Sequence, residues 1–198
     1  ALSKRYGVSK LLIKLILNRG VDESEIGNYL YGTTDDLSDA TAMKDLKAAA
    51  GVILELAEKN THNNTGGKER IAIVSDYDCD GVFSGMILYT GLKKLGLDPY
   101  IYTPDRVTEG YGINMRIVDE IYESGIRNII TCDNGIAAYD EVKHAKELGM
   151  TVIITDHHEV PYDEIDGKKE YRIPCADAVI DPKRPDCTYP FDGICGAM

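Results

Sequence analysis

Ile71-Ala72-Ile73-Val74-Ser75-Asp76-Tyr77-Asp78-Cys79-Asp80-Gly81 is the stretch that decides the fold. The apolar run Ile71 to Val74 is rich in β-branched residues and reads as a buried strand. A turn carrying three aspartates and closing on a glycine follows it. Two later segments repeat the design: Ile129 and Ile130 lead into Thr131-Cys132-Asp133-Asn134-Gly135, and Val152 to Ile154 lead into Thr155-Asp156-His157-His158-Glu159. Parallel strands of an open α/β sheet end at one common edge, where ligands bind. Asp76, Asp78, Asp80, Asp133 and Asp156, with His157 and His158, are therefore expected to meet in one crevice. Carboxylates crowded together repel one another and resist desolvation unless cations stand between them. A divalent metal site is the expectation.

Outward from these segments the chain alternates strand and helix. Strands are predicted at 71–75, 100–103, 128–132, 151–155 and 178–180, and helices at 82–95, 114–124 and 138–148, which run up to Gly96, Gly125 and Gly149. This rhythm predicts an α/β fold: a doubly wound, mainly parallel sheet with helices on both faces. The stretch 160–177 is polar and reads as a surface loop. The first part of the chain reads as helical. Ser9 would open a helix that stops near Asn18-Arg19-Gly20, Asp22 would cap a short helix through Leu30, and a longer helix would span 41–59 with Met43, Leu46, Ala50, Ile53, Leu54 and Ala57 on one face. Asn63-Asn64 and Gly66-Gly67 mark a loop over 60–68. The expected division is a helical amino-terminal segment, 1–68, and an α/β domain, 69–198.

With 198 residues the chain can bury a full core, and no segment approaches the roughly 20 continuous apolar residues of a membrane span. Its formal net charge of −11, with no run of lysines or arginines, argues against holding nucleic acid by a broad basic surface. It leaves room for a nuclease in which metal ions meet the phosphate locally. The five cysteines form no Cys-x-x-Cys pair, which argues against zinc–thiolate binding and fits reduced thiols in a cytoplasmic protein.

The alternation of Asp76, Asp78 and Asp80 puts two or three carboxylates on one face if the strand continues through them. Gly81 would let the chain turn tightly into a helix whose free N–H groups suit a phosphate. Asp133 at a strand end could bridge two ions, and His157 supplies a nitrogen donor. An oxygen-rich site with one imidazole suits Mn2+ or Mg2+. Two such ions about 3.5–4 Å apart can activate a water and stabilise a leaving oxygen. Taken singly, Asp-x-Asp-Gly and Asp-Asn-Gly are common turns, and a His-His pair on a loop usually faces solvent. Three such segments at successive strand ends carry the inference together.

Asp76-Tyr77-Asp78-Cys79-Asp80-Gly81, Cys132-Asp133-Asn134-Gly135 and Asp156-His157-His158 resemble, in order and context, the first three motifs of the DHH phosphoesterases. Asn18-Arg19-Gly20, Pro104-Asp105-Arg106 with Glu109-Gly110-Tyr111-Gly112, and the run from Asp181-Pro182-Lys183-Arg184-Pro185-Asp186-Cys187 to Gly196 are similar to the RecJ-like branch, the single-strand-specific exonucleases. The resemblance covers nearly the whole chain. It implies 5′-to-3′ hydrolysis of single-stranded DNA in repair and recombination, dependent on Mn2+ or Mg2+. Under it, Asp78 and Asp80 ligate different metals, Asp133 bridges them, His157 serves the second and Asp76 the first. Asp156 would stand behind His157 and orient it or a water. His158 would face the phosphate or pack, Arg106 would contact phosphate or form a surface ion pair, and Tyr111 would line the pocket, stack a base or simply pack. Lys183 and Arg184 are expected to be solvated, or else to touch the nucleic-acid backbone.

Several DHH relatives acting on pyrophosphate, cyclic dinucleotides or short oligonucleotides carry a histidine four residues before the counterpart of Asp78. Val74 stands there, which favours the exonuclease branch and leaves a small-substrate phosphodiesterase as the alternative. The family also places a fourth-motif aspartate, and a second catalytic domain, after the glycine-rich segment that closes this chain. Asp192 to Met198 reads as the first turn of a helix cut short, so the chain is expected to be part of a longer protein and to hydrolyse little alone. Asp78-Cys79-Asp80-Gly81-Val82 also resembles the nucleophile motif of haloacid-dehalogenase-type phosphatases. That motif wants apolar residues where Ser75, Asp76 and Tyr77 stand. A non-enzymatic scaffold would have shed the ligands that are intact here.

Overall fold

The computed structural model describes residues 1–62, 68–108 and 110–198. The expected loop residues Asn63-Asn64 and Gly66-Gly67, and Glu109 of the glycine-tyrosine motif, lie outside them. Two compact units are present, 1–39 and 40–198. The first holds three short helices, α1 (Leu2–Tyr6), α2 (Lys10–Asn18) and α3 (Ile26–Tyr31), packed around Ile13, Ile16 and Ile26. Ser9 opens α2 by accepting the Leu12 N–H at 3.1 Å. Asp22 does not cap α3: its carboxylate takes the N–H and hydroxyl of Ser24, and that local turn delays the helix to Ile26.

The second unit runs α4 (Leu46–His62), β1 (Arg70–Ser75), α5 (Cys79–Lys94), β2 (Asp98–Tyr102), α6 (Met115–Glu123), β3 (Asn128–Cys132), α7 (Tyr139–Glu147), β4 (Thr151–Thr155), β5 (Tyr162–Ile165), β6 (Lys168–Tyr171) and β7 (Ala178–Ile180). Five strands form a parallel sheet in the order β2-β1-β3-β4-β7. The period-2 alternation of each strand splits its side chains between two cores. Ala72, Val74, Ile129, Val152, Ile154 and Val179 pack with Ile117, Val118 and Ile121 of α6 and Val142 and Ala145 of α7. Ile71, Ile73, Ile130, Cys132, Ile153 and Ile180 pack with Ala49 and Leu56 of α4 and Leu92 of α5. Strands buried on both faces explain the unbroken apolar runs of the sequence.

Three elements depart from the sequence reading. The helix expected from 41 starts at Leu46, because Asp45 sits at φ 60° with its carboxylate held by the Arg184 guanidinium at 2.6 Å. Within it Ala49 and Leu56 are buried; of the expected face, Met43, Leu46, Ile53 and Ala57 pack partly buried beside them, while Ala50 and Leu54 are exposed. The excursion expected to be loop contains an antiparallel hairpin, β5 paired with β6. Asp166 and Gly167 turn it with φ 53° and 71°, the left-handed pair a two-residue hairpin demands. Its strands carry acids and lysines on both faces, so alternation of hydrophobicity gave no signal. The closing residues Asp192 to Met198 form no helix. No helix among the described residues is long and apolar enough to cross a membrane.

Candidate metal centre

The chain runs from β1 to β2 on one side and then returns to β3 on the other, so the switch in strand order falls between β1 and β3. A crevice opens there at the carboxyl ends. The aspartates after β1 reach it by a strand–turn–helix, not by strand alternation as the sequence suggested. β1 ends at Ser75, Asp76 follows in the turn, and Asp78 is the N-cap of α5, its Oδ1 accepting the N–H groups of Asp80 (2.8 Å) and Gly81 (3.0 Å). Gly81 is required by proximity: a Cβ there would lie 2.4 Å from the Asp76 carbonyl oxygen. The helix terminus can thus close over the strand end and turn Asp76 and Asp78 the same way.

After β3, Asp133 adopts φ 61°, a left-handed conformation that a short polar side chain tolerates. Its N–H donates to the Thr155 carbonyl at 3.1 Å and its own carbonyl accepts the Tyr111 hydroxyl at 3.0 Å. Neighbouring Asn134 is fully buried, donates to the carbonyls of Val74 and Cys132, and accepts the N–H of Ile113. After β4, the buried Asp156 gathers its surroundings: Oδ2 accepts the Ile136 N–H at 2.9 Å, and Oδ1 lies 2.7 Å from both the His157 N–H and His158 Nδ1. His157 is thereby presented with Nε2 2.8 Å from Asp133 Oδ1 and 3.4 Å from Asp80 Oδ2. The His158 ring stands edge-on to Tyr111, centroids 5.8 Å apart.

Asp80 is placed differently from its neighbours. Its two oxygens accept the N–H groups of Gly196 (2.6 Å) and Ala197 (2.8 Å), which brings the closing segment of the chain over the site. Gly196 packs so tightly that a Cβ would meet the Asp133 side chain at 2.8 Å.

Two groups result whose ligand atoms lie within 4.8 Å of one another: Asp76, Asp78 and Asp133, and Asp133, His157 and His158. Asp133 belongs to both. Asp80 and Asp156 flank these groups. Burial, followed by the charges of Asp80 and Asp78, pushes the Asp133 carboxyl up to about 6 against the pull of His157. Burial also raises Asp76, whose Oδ1 is buried without a hydrogen-bond donor. On Asp156, burial is outweighed by the hydrogen bonds from His158 and Ile136, and the carboxyl lies below its ordinary value; His158 is raised by the same contact. Asp80 is likewise lowered, its burial outweighed by the N–H groups of Gly196 and Ala197. An orphaned oxygen in an all-carboxylate group, joined through Asp133 to a group with two imidazoles, is what a hard or borderline divalent cation would satisfy.

The remaining sequence candidates lie around this centre. Tyr111 borders it through Asp133 and His158. Arg106 is exposed, with its guanidinium carbon 5.1 Å from the centre of the Tyr77 ring in the aspartate turn. Lys183 pairs with Glu159 at 3.0 Å. Arg184 is not solvated: it is buried and bound by Asp45, Asp186 and the Val179 carbonyl, because the turn after β7 folds it back under the sheet. Sequence reasoning missed the bracing by Asn134 and the contribution of the Gly196 and Ala197 amides. A buried Asn beside a left-handed residue has a local signature only in Asp-Asn-Gly itself, and the amides have none.

The chain is 40% identical over 197 residues to the single-stranded-DNA-specific exonuclease RecJ of Bacillus subtilis (strain 168), an alignment covering 99% of this chain and 23% of that protein. It is 37% identical over 128 residues to the RecJ of Escherichia coli (strain K12), covering 64% of this chain and 21% of the relative. A crystal structure of exonuclease RecJ bound to manganese superimposes with a TM-score of 0.59 at 31% identity, over 76% of this chain and 34% of that one. The chain thus spans about a quarter of the length of these curated relatives. Residues 70–198, the sheet and every residue of the candidate centre, match the DHH family, N-terminal domain, and the chain belongs to that family.

Proposed function

We propose that this chain carries the metal-holding part of a phosphoesterase that hydrolyses single-stranded DNA from its 5′ end in DNA repair and recombination. The observation that carries the reading is Asp133, shared between the Asp76–Asp78 group and the His157–His158 group. A carboxylate placed between two such groups suits a pair of divalent ions, Mn2+ or Mg2+, held by Asp76, Asp78, Asp133 and His157, with Asp80 alongside. When bound, such ions supply positive charge to a phosphodiester and acidify water near neutral pH. The chain's own part is to hold those donors in place. Asp156 fixes the backbone of both histidines and the ring of His158 through Nδ1, and the same contact favours the protonated ring, which alone can also donate from Nε2 to a phosphate oxygen. Arg106, beside the aspartate turn, is placed to attract a phosphate.

The relatives named for single-stranded DNA support the choice of substrate, and Val74, fully buried in β1, offers no donor of the kind that small-substrate phosphodiesterases use. Free cysteines throughout support a reducing, cytoplasmic setting. The test is Mn2+ titration of the chain, with Asp133→Asn as comparison. Wild type should bind, and the variant should lose at least about tenfold in affinity because both groups lose a ligand. A chain indifferent to Mn2+ would defeat the reading. Single-strand digestion assays on the longer protein, setting long strands against dinucleotides, would separate an exonuclease from a short-oligonucleotide phosphodiesterase.

A further inference from the structure

Beside the candidate centre, on the His158 side, lies a cavity of about 320 Å³. It is at the small end of ligand pockets, which run about 300–1,000 Å³, so it is sized for a single nucleotide unit. Tyr111 and His158 form the wall shared with the metal-holding groups, while Ile113, Ile136 and Ala137 give it an apolar surface. Glu141, in the first turn of α7, adds a carboxylate. The Glu141 carboxylate has no hydrogen-bond or ion-pair partner among the described residues. A flat apolar ring with polar edges matches this lining, and a carboxylate accepts hydrogen bonds from the exocyclic amine of cytosine or adenine, which thymine lacks.

We propose that this cavity seats the base of the nucleotide whose phosphate lies at the metal centre, and that Glu141 favours bases carrying an exocyclic amine over thymine. The inference rests on the phosphoesterase reading and extends it to a base-binding subsite. A phosphate at the His158 edge would stand one sugar away from the apolar wall, so one nucleotide can span both. The arrangement provides selectivity by hydrogen bonding, not by shape.

The Mn2+-loaded chain can be titrated calorimetrically with dCMP, dTMP and 2-deoxyribose 5-phosphate. Binding should follow that order, with at least about a tenfold gain of dCMP over the sugar phosphate, the scale of base–aromatic and base–edge contacts. Ala137→Trp, at an exposed position in the wall, should remove that gain while leaving affinity for Mn2+ and the sugar phosphate unchanged. Glu141→Gln should bring dCMP and dTMP to equal affinity. Binding of Mn2+ and of the sugar phosphate with nothing added by the base would overturn this inference alone. Failure to bind Mn2+ at all would remove the metal reading and this inference with it.

Discussion

Asp156→Asn removes one charge and one acceptor while keeping the shape of the side chain, and the structure fixes what this costs. Oδ2 accepts the Ile136 N–H, and Oδ1 accepts the N–H groups of His157 (2.7 Å) and His158 (3.3 Å) with the His158 ring 2.7 Å away. An asparagine whose oxygen replaces Oδ1 keeps the histidine contacts but turns its NH₂ against the Ile136 N–H. The flipped amide keeps Ile136 and turns its NH₂ against two backbone donors. The first arrangement is cheaper and still leaves one buried N–H without an acceptor, about 1–3 kcal/mol. A loss of about 2 kcal/mol is expected, or about 4–8 °C in Tm for a chain of this length. Urea and thermal unfolding in chelator would measure it. Because the Asp156 carboxyl lies below 3.8 in the folded chain, its contribution is present above that pH and vanishes as the pH falls through the lowered value. The gap between wild type and variant should therefore close in acid. Losing the negative charge behind the two histidines should also weaken Mn2+ binding by about 10–100-fold. A variant within about 0.5 kcal/mol of wild type at neutral pH, with unaltered Mn2+ affinity, would refute the view that Asp156 braces the histidines.

Gly81→Ala drives a Cβ to 2.4 Å from the Asp76 carbonyl and should cost about 1–3 kcal/mol or more with reduced Mn2+ affinity, whereas Gly91→Ala, with nothing within 4 Å in the last turn of α5, should gain up to about 0.5–1 kcal/mol. Denaturant midpoints in the opposite order would contradict the close approach of helix and strand. The Asp133 carboxyl is raised from 3.8 to about 6, so in chelator its contribution to stability is greatest in acid and declines as the pH rises through about 6. A bound cation favours the charged form, so the rise in Tm caused by Mn2+ should grow between about pH 5 and about pH 7.5, and a constant rise would count against Asp133 as a ligand. Arg184→Met leaves Asp45 and Asp186 without their guanidinium; since those side chains are 29% and 47% exposed, the cost should fall at or below the lower end of about 3–5 kcal/mol, read from urea melts. No loss would mean that water replaces the guanidinium at both carboxylates.

The parallel sheet was legible because the central strands are apolar on both faces and α5, α6 and α7 each stop just before a glycine, so local preference and global packing agree. The hairpin was not, although Asp166-Gly167 announces its turn, because strands outside the core owe nothing to hydrophobic alternation. The same distinction runs through the candidate centre. Strand ends such as Thr155-Asp156-His157 could be placed at one edge from pattern alone, since parallel strands must end together. How each carboxylate is aimed depended on contacts between segments distant in sequence. Asp78 turned out to cap its helix, Asp133 is left-handed and held by Tyr111, and Asp80 is engaged by amides more than a hundred residues away. Charge repulsion explains why the aiming cannot be local. Acidic side chains set close together separate unless donors hold each in place, and no short motif contains enough donors to hold them all. The bracing is therefore spread over Asn134, Asp156, Tyr111 and the Gly196 and Ala197 amides, residues that sequence pattern alone gives little reason to connect. A cation then enters a frame already pointed inward, with the orphaned oxygen of Asp76 as the mark of what the frame is built to receive.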